Sequence, residues 1–154
     1  MITLPCASLT DPWASLCVAG IKTLETRKGA LLSGFSGPLV IHRTLALCVD
    51  YDLSRWGLPV PKHPEGWPED DRGMALGVVY VTRTFRDAES ALWTDEYLSE
   101  LQRRACFVDI RGRYLSDLAA SAWFPSPIKA SGKQGRWKID VPRNYLPAWA
   151  LEAA

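Results

Sequence analysis

Alternating apolar and polar positions mark several short strands along the chain. The clearest is residues 75–83, where β-branched and aromatic side chains dominate. A Gly-Pro turn introduces a second strand at 37–43, and residues 137–141 alternate again. Shorter alternating segments at 107–110 and 114–120 indicate two further strands. We therefore expect about four to six short strands.

Helices and loops are predicted between these strands. Residues 10–20 combine N-cap candidates, a proline in the first turn and a glycine stop, which predicts a short helix. Residues 88–105 place apolar side chains at helical intervals opposite charged ones. A third, short helix could form within 45–56. Residues 57–73 are rich in Gly, Pro and acidic side chains and indicate a long surface excursion, and 126–135 indicates a polar loop.

The order of these elements favours a single α+β domain covering residues 1–154, with an insertion around 45–73. Strands and helices do not alternate strictly, so a doubly wound sheet is not expected. The expected architecture is a small mixed or antiparallel β-barrel flanked by two or three helices. Four cysteines without a CxxC pair and only two histidines argue against a zinc site. We predict no metal and no cofactor.

Charge and hydropathy limit the functions that remain. Eighteen Lys and Arg residues against 17 Asp and Glu residues give a formal net charge of +1. This balance excludes a protein that coats nucleic acid by bulk charge, so any polyanion site must be local. No apolar run approaches the ~20 residues that span a bilayer, and the first residues lack a basic segment leading into an apolar stretch. We expect no membrane association and a cytoplasmic location.

Charged side chains follow the first predicted helix at short spacing. After its glycine stop, Lys22, Glu25 and Arg27 arrive within one strand-compatible segment, 22–28. On a solvated strand Glu25 would form an ion pair worth only about 0–1 kcal/mol. In a cleft, Arg27 would offer its planar guanidinium to a phosphate or base edge, while Glu25 accepts from an exocyclic amine.

Further side chains are candidates for ligand contact. Trp13, at the start of the first helix, could stack a base or fill the core. Ser15 lies on the helix side away from the apolar positions and is either a ligand contact or a surface residue. His42 lies in the strand at 37–43 and faces either a cleft or the interior, with Arg43 beside it.

The segment 129–143 carries five cations and one acidic residue. Lys133 stands in a glycine-flanked loop that could approach a phosphate closely, and Arg136 precedes Trp137, which would place a cation beside a stacking surface. Alternatively, the loop is merely solvated. The acidic residues of 65–71 are expected to lie away from any such cleft.

Taken together, these motifs resemble a known family. PWASL followed by GxKxxExR is similar to the signature of the ASCH domain family of the PUA-like superfamily, and three further segments follow in the family's order. The five segments are 12–16, 20–27, 37–42, 73–79 and 132–137. The resemblance implies a PUA-like pseudo-barrel in which the helix end and first strand line a positively charged groove.

The resemblance also implies a function, namely binding of single-stranded RNA or DNA, or of a modified nucleoside, in a locally basic cleft. The expected contacts are Lys22, Arg27, Arg43, Lys133 and Arg136 for phosphate and Trp13 and Trp137 for stacking, with Ser15 and His42 nearby.

Two catalytic alternatives stay open. Some ASCH proteins are similar to acetylcytidine amidohydrolases, whose catalytic lysine matches Lys22, although their threonine position is Glu25 here; Lys22 and Glu25 would then be catalytic. A single-strand ribonuclease would instead use His42, Glu25 or Tyr80. An interaction domain without a nucleic-acid ligand is the remaining alternative.

Overall fold

The computed structural model describes residues 1–58, 61–87 and 89–154, so Pro59 and Val60 of the predicted excursion and Ala88 at the start of a predicted helix lie outside the described residues. The described residues form six strands, β1 (Ile2–Leu9), β2 (Leu24–Arg27), β3 (Gly37–Arg43), β4 (Met74–Phe85), β5 (Tyr114–Lys129) and β6 (Arg136–Val141). They also form three α-helices, α1 (Trp13–Val18), α2 (Asp95–Ala105) and α3 (Ala148–Ala153).

The strands form one mixed sheet in the order β2-β5-β4-β3-β1-β6. Neighbouring strands are antiparallel except for β1 and β3, which are parallel. The α+β class and the mixed sheet with helices are therefore confirmed. The closed barrel is not: β2 and β6 lie at opposite ends of the strand order, and the described strands show no pairing between them.

Three of the predicted strands are confirmed, because 37–43, 75–83 and 137–141 fall within β3, β4 and β6. The strand predicted at 114–120 is much longer and continues to Lys129, so the polar loop begins only after that residue. β1, for which the pattern gave no strand, lies inside the sheet between β3 and β6. Its Pro5 is a residue that usually argues against a central strand.

One local prediction is wrong, and another is confirmed only in part. Residues 107–110 form no strand, although all four are described, because they belong to the irregular segment that follows α2. Of 45–56, only Leu53–Trp56 forms a helix, a short 3-10 turn that begins where Asp52 Oδ1 accepts from the Ser54 backbone N–H. Phe107 and Ile110 of the first segment and Leu53 and Trp56 of the second pack against tertiary neighbours, whereas Leu45 is exposed.

The helix α1 packs against the middle strands of the sheet, and α2 packs against the edge strand β2. Ala14, Cys17 and Val18 of α1 are buried against the sheet. Leu24 of β2 is fully buried against Leu101 and Ala105 of α2. Burying a leucine side chain in this way stabilises the fold by about 1.5–3 kcal/mol. The short segment between α1 and β2 is therefore held on both sides. Within the described residues, no helix has the length and apolar character needed to cross a membrane.

Candidate functional site

Two open recesses lie side by side where Arg27, at the end of β2, donates a hydrogen bond to the Ser8 carbonyl of β1. The tryptophan recess has a volume of about 530 Å³ and is lined by Ser8, Leu9, Thr10, Trp13, Lys22, Glu25, Thr26, Arg27, Lys28, Gly29, Leu31, Val49, Phe107 and Arg113. The histidine recess, of about 570 Å³, is lined by Ser8, Arg27, His42, Thr44, Leu45, Gly132, Lys133, Gln134 and Gly135. Ser8 and Arg27 line both, so the two recesses adjoin.

The turn after α1 positions the first charged side chain. Gly20 adopts a φ of +76°, and a Cβ there would lie 2.8 Å from Ser121 Oγ, so the stop signal marks a position that needs glycine. After this turn, the backbone N–H groups of Ile21 and Lys22 both donate to the Leu16 carbonyl, at 3.1 and 3.0 Å. Lys22 consequently precedes β2 instead of lying within it, contrary to the expectation of one strand.

Lys22 and Glu25 form a buried pair, so a solvated ion pair is the wrong interpretation. Lys22 is only 2% exposed. Its Nζ donates to the Ala105 carbonyl, lies 3.8 Å from Glu25 Oε1 and stands 5.4 Å from the centre of the Trp13 ring. Glu25 Oε1 accepts from the Thr26 N–H at 2.8 Å. Glu25 Oε2 is also buried, but has no hydrogen-bond partner among the described residues.

Two arginines add unsatisfied donors to the same recess. Arg27 Nη2 donates to the Ser8 carbonyl at 3.1 Å, and Arg113 Nη2 donates to the Thr26 carbonyl at 3.4 Å. The Nε of each is buried without a hydrogen-bond partner in the part of the chain that the structure describes. With Lys22 and the exposed Lys28, four cations therefore line this recess together with the one carboxylate of Glu25.

Aromatic rings form one wall of the tryptophan recess. The half-buried Trp13 contacts Phe107 edge-on, with ring centres 5.5 Å apart, and Tyr51 stands 4.8 Å from Trp13 on another side. The Arg113 guanidinium lies 5.3 Å from the centre of the Phe107 ring. Sequence reasoning missed Phe107 and Arg113. Phe107 reaches this wall because α2 ends in the left-handed residue Cys106, which redirects the chain.

The histidine recess is built around a buried imidazole. His42 is 1% exposed, with Nε2 2.8 Å from the Ala130 carbonyl oxygen and Nδ1 3.1 Å from Ser8 Oγ. Lys133 is fully on the surface of this recess, on the loop between β5 and β6. The open alternatives for His42 are thus both realised: the ring is a satisfied interior group, and it also contributes to a cleft.

Four other predicted ligand contacts line neither of the two recesses that the described residues form. Ser15 is buried, and its N–H and Oγ donate to Asp11 Oδ1 at 2.9 and 2.8 Å. Arg43 donates to Asp71, and its Nη1 lies 3.4 Å from Asp11 Oδ2. Since these groups satisfy buried carboxylates of the protein, they are not available to a ligand.

The other two, Arg136 and Trp137, lie on β6. The Arg136 guanidinium stacks on Phe35, 4.7 Å from the ring centre. Trp137 packs edge-on against His42, with ring centres 5.4 Å apart, and joins an apolar cluster. The sequence pairs a cation with an indole at these positions, but consecutive residues of a strand point to opposite faces.

The cysteines supply no reactive centre in these recesses. Burial raises the pKa of the Cys6 thiol to about 12, and burial followed by the Glu25 charge raises that of Cys17 well above its ordinary value. Cys48 is exposed and lines neither recess. Across the described ranges, no three His, Cys, Asp or Glu side chains are grouped to hold a metal ion.

Comparison with known proteins agrees on the fold. No family model matches the sequence. The crystal structure of ASCH from Zymomonas mobilis is similar over 92% of this chain and 89% of that one, at 15% identity and a TM-score of 0.51. A variant of that protein with a tyrosine-to-phenylalanine substitution is similar over 96% and 93%, at 17% identity and a TM-score of 0.50. The chain has an ASCH-like fold.

Proposed function

We propose that the tryptophan recess binds one nucleotide of a single-stranded nucleic acid, or a modified nucleoside. The observation that carries this proposal is that three of the eight buried side-chain polar atoms without a hydrogen-bond partner among the described residues, Glu25 Oε2, Arg27 Nε and Arg113 Nε, belong to residues that line this recess. A buried polar atom left unpaired costs about 1–3 kcal/mol, and more when charged. Three such atoms, on side chains that line one open recess, favour a ligand with matching donors and acceptors.

The chemistry of the recess suits a nucleobase and its phosphate. Glu25 is an acceptor for an exocyclic amine or ring N–H, and the guanidinium groups offer planar pairs of donors to a base edge or a phosphate. Trp13 and Phe107 supply aromatic surface beside these polar groups. The exposed Lys28 stands at the rim, where a phosphate remains partly hydrated.

The neighbouring histidine recess extends the site along a strand. Ser8 and Arg27 belong to both recesses, so a chain whose base enters the tryptophan recess continues past Arg27 toward Lys133. The glycines on either side of Lys133 and Gln134 allow a backbone to approach closely. Recognition of more than one nucleotide follows from this arrangement.

The contacts of Lys22 and His42 do not favour the two catalytic alternatives. Lys22 Nζ donates to Ala105 and faces Glu25, so it presents no free electron pair to an acyl group in the recess. His42 uses both ring nitrogens within the protein, and Tyr80 packs against Trp149 instead of lining either recess. We therefore assign Lys22 and Glu25 to recognition.

Titration of the protein's tryptophan fluorescence with single-stranded RNA and DNA oligomers and with nucleosides, at low and high salt, tests this function. We expect saturable binding by the wild-type protein that weakens steeply with salt for oligomers. Glu25→Gln should weaken it by about 1–3 kcal/mol, because the amide removes the negative charge and replaces one acceptor oxygen with an NH2 donor. Glu100→Gln, on the exposed face of α2, is the matched control and should bind like the wild type. Absence of wild-type binding at micromolar protein and low salt would contradict the proposal.

A further inference from the structure

Ser8 and His42 form a hydrogen-bonded pair where the two recesses meet. They are direct cross-strand neighbours in the parallel β1–β3 pairing. Ser8 is half-buried and lines both recesses, whereas His42 is 1% exposed. Ser8 therefore lies at the boundary between the recesses, and the buried imidazole lines the histidine recess beside it.

A second contact defines which nitrogen of His42 carries the hydrogen. Its Nε2 lies 2.8 Å from the Ala130 carbonyl oxygen, and a carbonyl oxygen only accepts, so Nε2 is the donor. In the neutral ring, Nδ1 is then the basic nitrogen, and it accepts the hydrogen bond from Ser8 Oγ at 3.1 Å. A hydroxyl, a base and a group that orients the base are the parts that activate a serine nucleophile.

The histidine recess, which Ser8, His42 and Gly132 all line, gives room for a reacting group beside this pair. A Cβ on Gly132 would lie 2.8 Å from His42 Cε1 and 3.2 Å from Ser8 Oγ, so the close approach of this loop to the pair requires glycine. On the other side, Arg27 donates through Nη2 to the Ser8 carbonyl, while its Nε has no partner among the described residues. The guanidinium is thus held against the Ser8 backbone, and Arg27 lines both recesses, so an oxyanion that forms beside Ser8 would lie near this cation.

We propose that Ser8 is the nucleophile, and His42 its general base, in the hydrolysis of carboxylic esters of nucleosides or nucleotides. The substrate class rests on the proposed function: the nucleoside occupies the tryptophan recess, the acyl group occupies the histidine recess, and the ester carbonyl stands between them at Ser8.

The reaction balances with water as the co-reactant. Ser8 Oγ forms a bond to the carbonyl carbon as its proton passes to His42 Nδ1, and Arg27 stabilises the resulting oxyanion. The bond from carbon to the nucleoside oxygen then breaks, and that oxygen takes the proton from Nδ1 and leaves as an alcohol. Water attacks the acyl-serine, giving one proton to Nδ1. Ser8 Oγ departs with that proton, and the carboxylic acid is released.

Two features favour an ester over other bonds. Both nitrogens of His42 are engaged by Ser8 and Ala130, so neither faces the 2′-hydroxyl that ribonuclease action would deprotonate. The orienting group is a neutral carbonyl and stabilises an imidazolium less than a carboxylate does, which suits the more reactive ester rather than an amide.

The test incubates the full chain with 4-nitrophenyl acetate and with 3′-O-acetyladenosine, following product release and the mass of the protein. We expect an acetyl group on the peptide that contains Ser8, and faster turnover of the nucleoside ester at equal concentration. Ser8→Ala should abolish the adduct, and His42→Gln should slow turnover by about 100-fold or more. Ser126→Ala is the matched control, because it also removes a serine hydrogen bond, 2.8 Å to Tyr145 Oη, outside both recesses.

The outcomes separate this inference from the proposed function. A wild-type protein that binds nucleotides but acquires no acetyl group on Ser8 overturns the nucleophile and leaves the binding function intact. Ser8-dependent turnover of 4-nitrophenyl acetate, without nucleotide binding or preference for the nucleoside ester, overturns the substrate class. RNA cleavage that survives Ser8→Ala and disappears in His42→Gln overturns the roles assigned to both residues. The adduct is measured on the wild-type protein, so the test does not depend on the folding of any variant.

Discussion

Two buried charge clusters stand near α1, and they differ in how their charges are matched. In the Arg43 cluster (Asp11, Arg43, His63 and Asp71), Arg43 contacts two carboxylates, and the fully buried Asp71 also lies 2.8 Å from His63 Nε2. In the tryptophan recess, cations outnumber the single carboxylate of Glu25. The first cluster ties the excursion before β4 to the start of α1, while the second leaves charge for a ligand.

The contrast shows that residue type does not distinguish a binding arginine from a structural one. Arg27 and Arg43 are the last residues of β2 and β3, and both were candidates for phosphate contact. Arg43 meets carboxylates of its own chain, whereas Arg27 meets one backbone carbonyl and faces open space. What separates them is the set of partners that the tertiary structure supplies.

Replacing each arginine with methionine should give the largest difference in stability between the two clusters. Arg43→Met leaves two buried carboxylates without their cation and should lower the free energy of unfolding by about 3–5 kcal/mol. Arg27→Met removes one hydrogen bond to a carbonyl and should cost about 1–2 kcal/mol of stability, while weakening oligonucleotide binding by about tenfold. Chemical denaturation and fluorescence titration measure the two effects. Equal stability losses would show that the clusters do not differ as described.

A smaller effect is expected from the lysine on the rim of the histidine recess. Lys133→Gln should reduce the slope of log affinity against log salt by about 1 for an oligomer that reaches this recess. Lys138→Gln, an exposed lysine on β6, provides the matched control and should leave the slope unchanged. If both substitutions change the slope equally, Lys133 contributes only to the general charge of the surface.

The smallest effect concerns Asp117, a β5 residue that pairs with Leu24 of β2. Burial raises the pKa of Asp117, but hydrogen bonds from Arg83 and Arg104 outweigh it, so the pKa is lowered in the folded protein. A lowered pKa means that this stabilisation is present above the unfolded value, about 3.9, and is lost as the pH falls through the folded value. Asp117→Asn should therefore cost up to about 1 kcal/mol at neutral pH, less in acid. Thermal unfolding at several pH values measures this; a pH-independent difference would contradict it.

Much of the fold follows from local patterns. The strands at 37–43, 75–83 and 137–141 and the helix before Gly20 were predicted because hydrophobic periodicity and turn residues act over a few residues. The strand at 2–9 was not predicted, because Pro5 weakens its strand pattern. The loop at 107–110 was predicted as a strand, because its residues alternate between apolar and polar by chance. Whether the sheet closes into a barrel depends on contacts between distant segments, so local sequence patterns do not predict it.

By itself, the sequence determined the α+β class, the absence of bulk positive charge and the clustering of Lys22, Glu25 and Arg27 after a glycine stop. Only the tertiary structure decided that this cluster is buried beside Trp13, that Phe107 and Arg113 complete its recess, and that Arg43 and Ser15 serve buried carboxylates instead. The physical reason is that hydrogen-bond satisfaction depends on partners far apart along the chain, as the contacts of Lys22 with Ala105 and of His42 with Ala130 show.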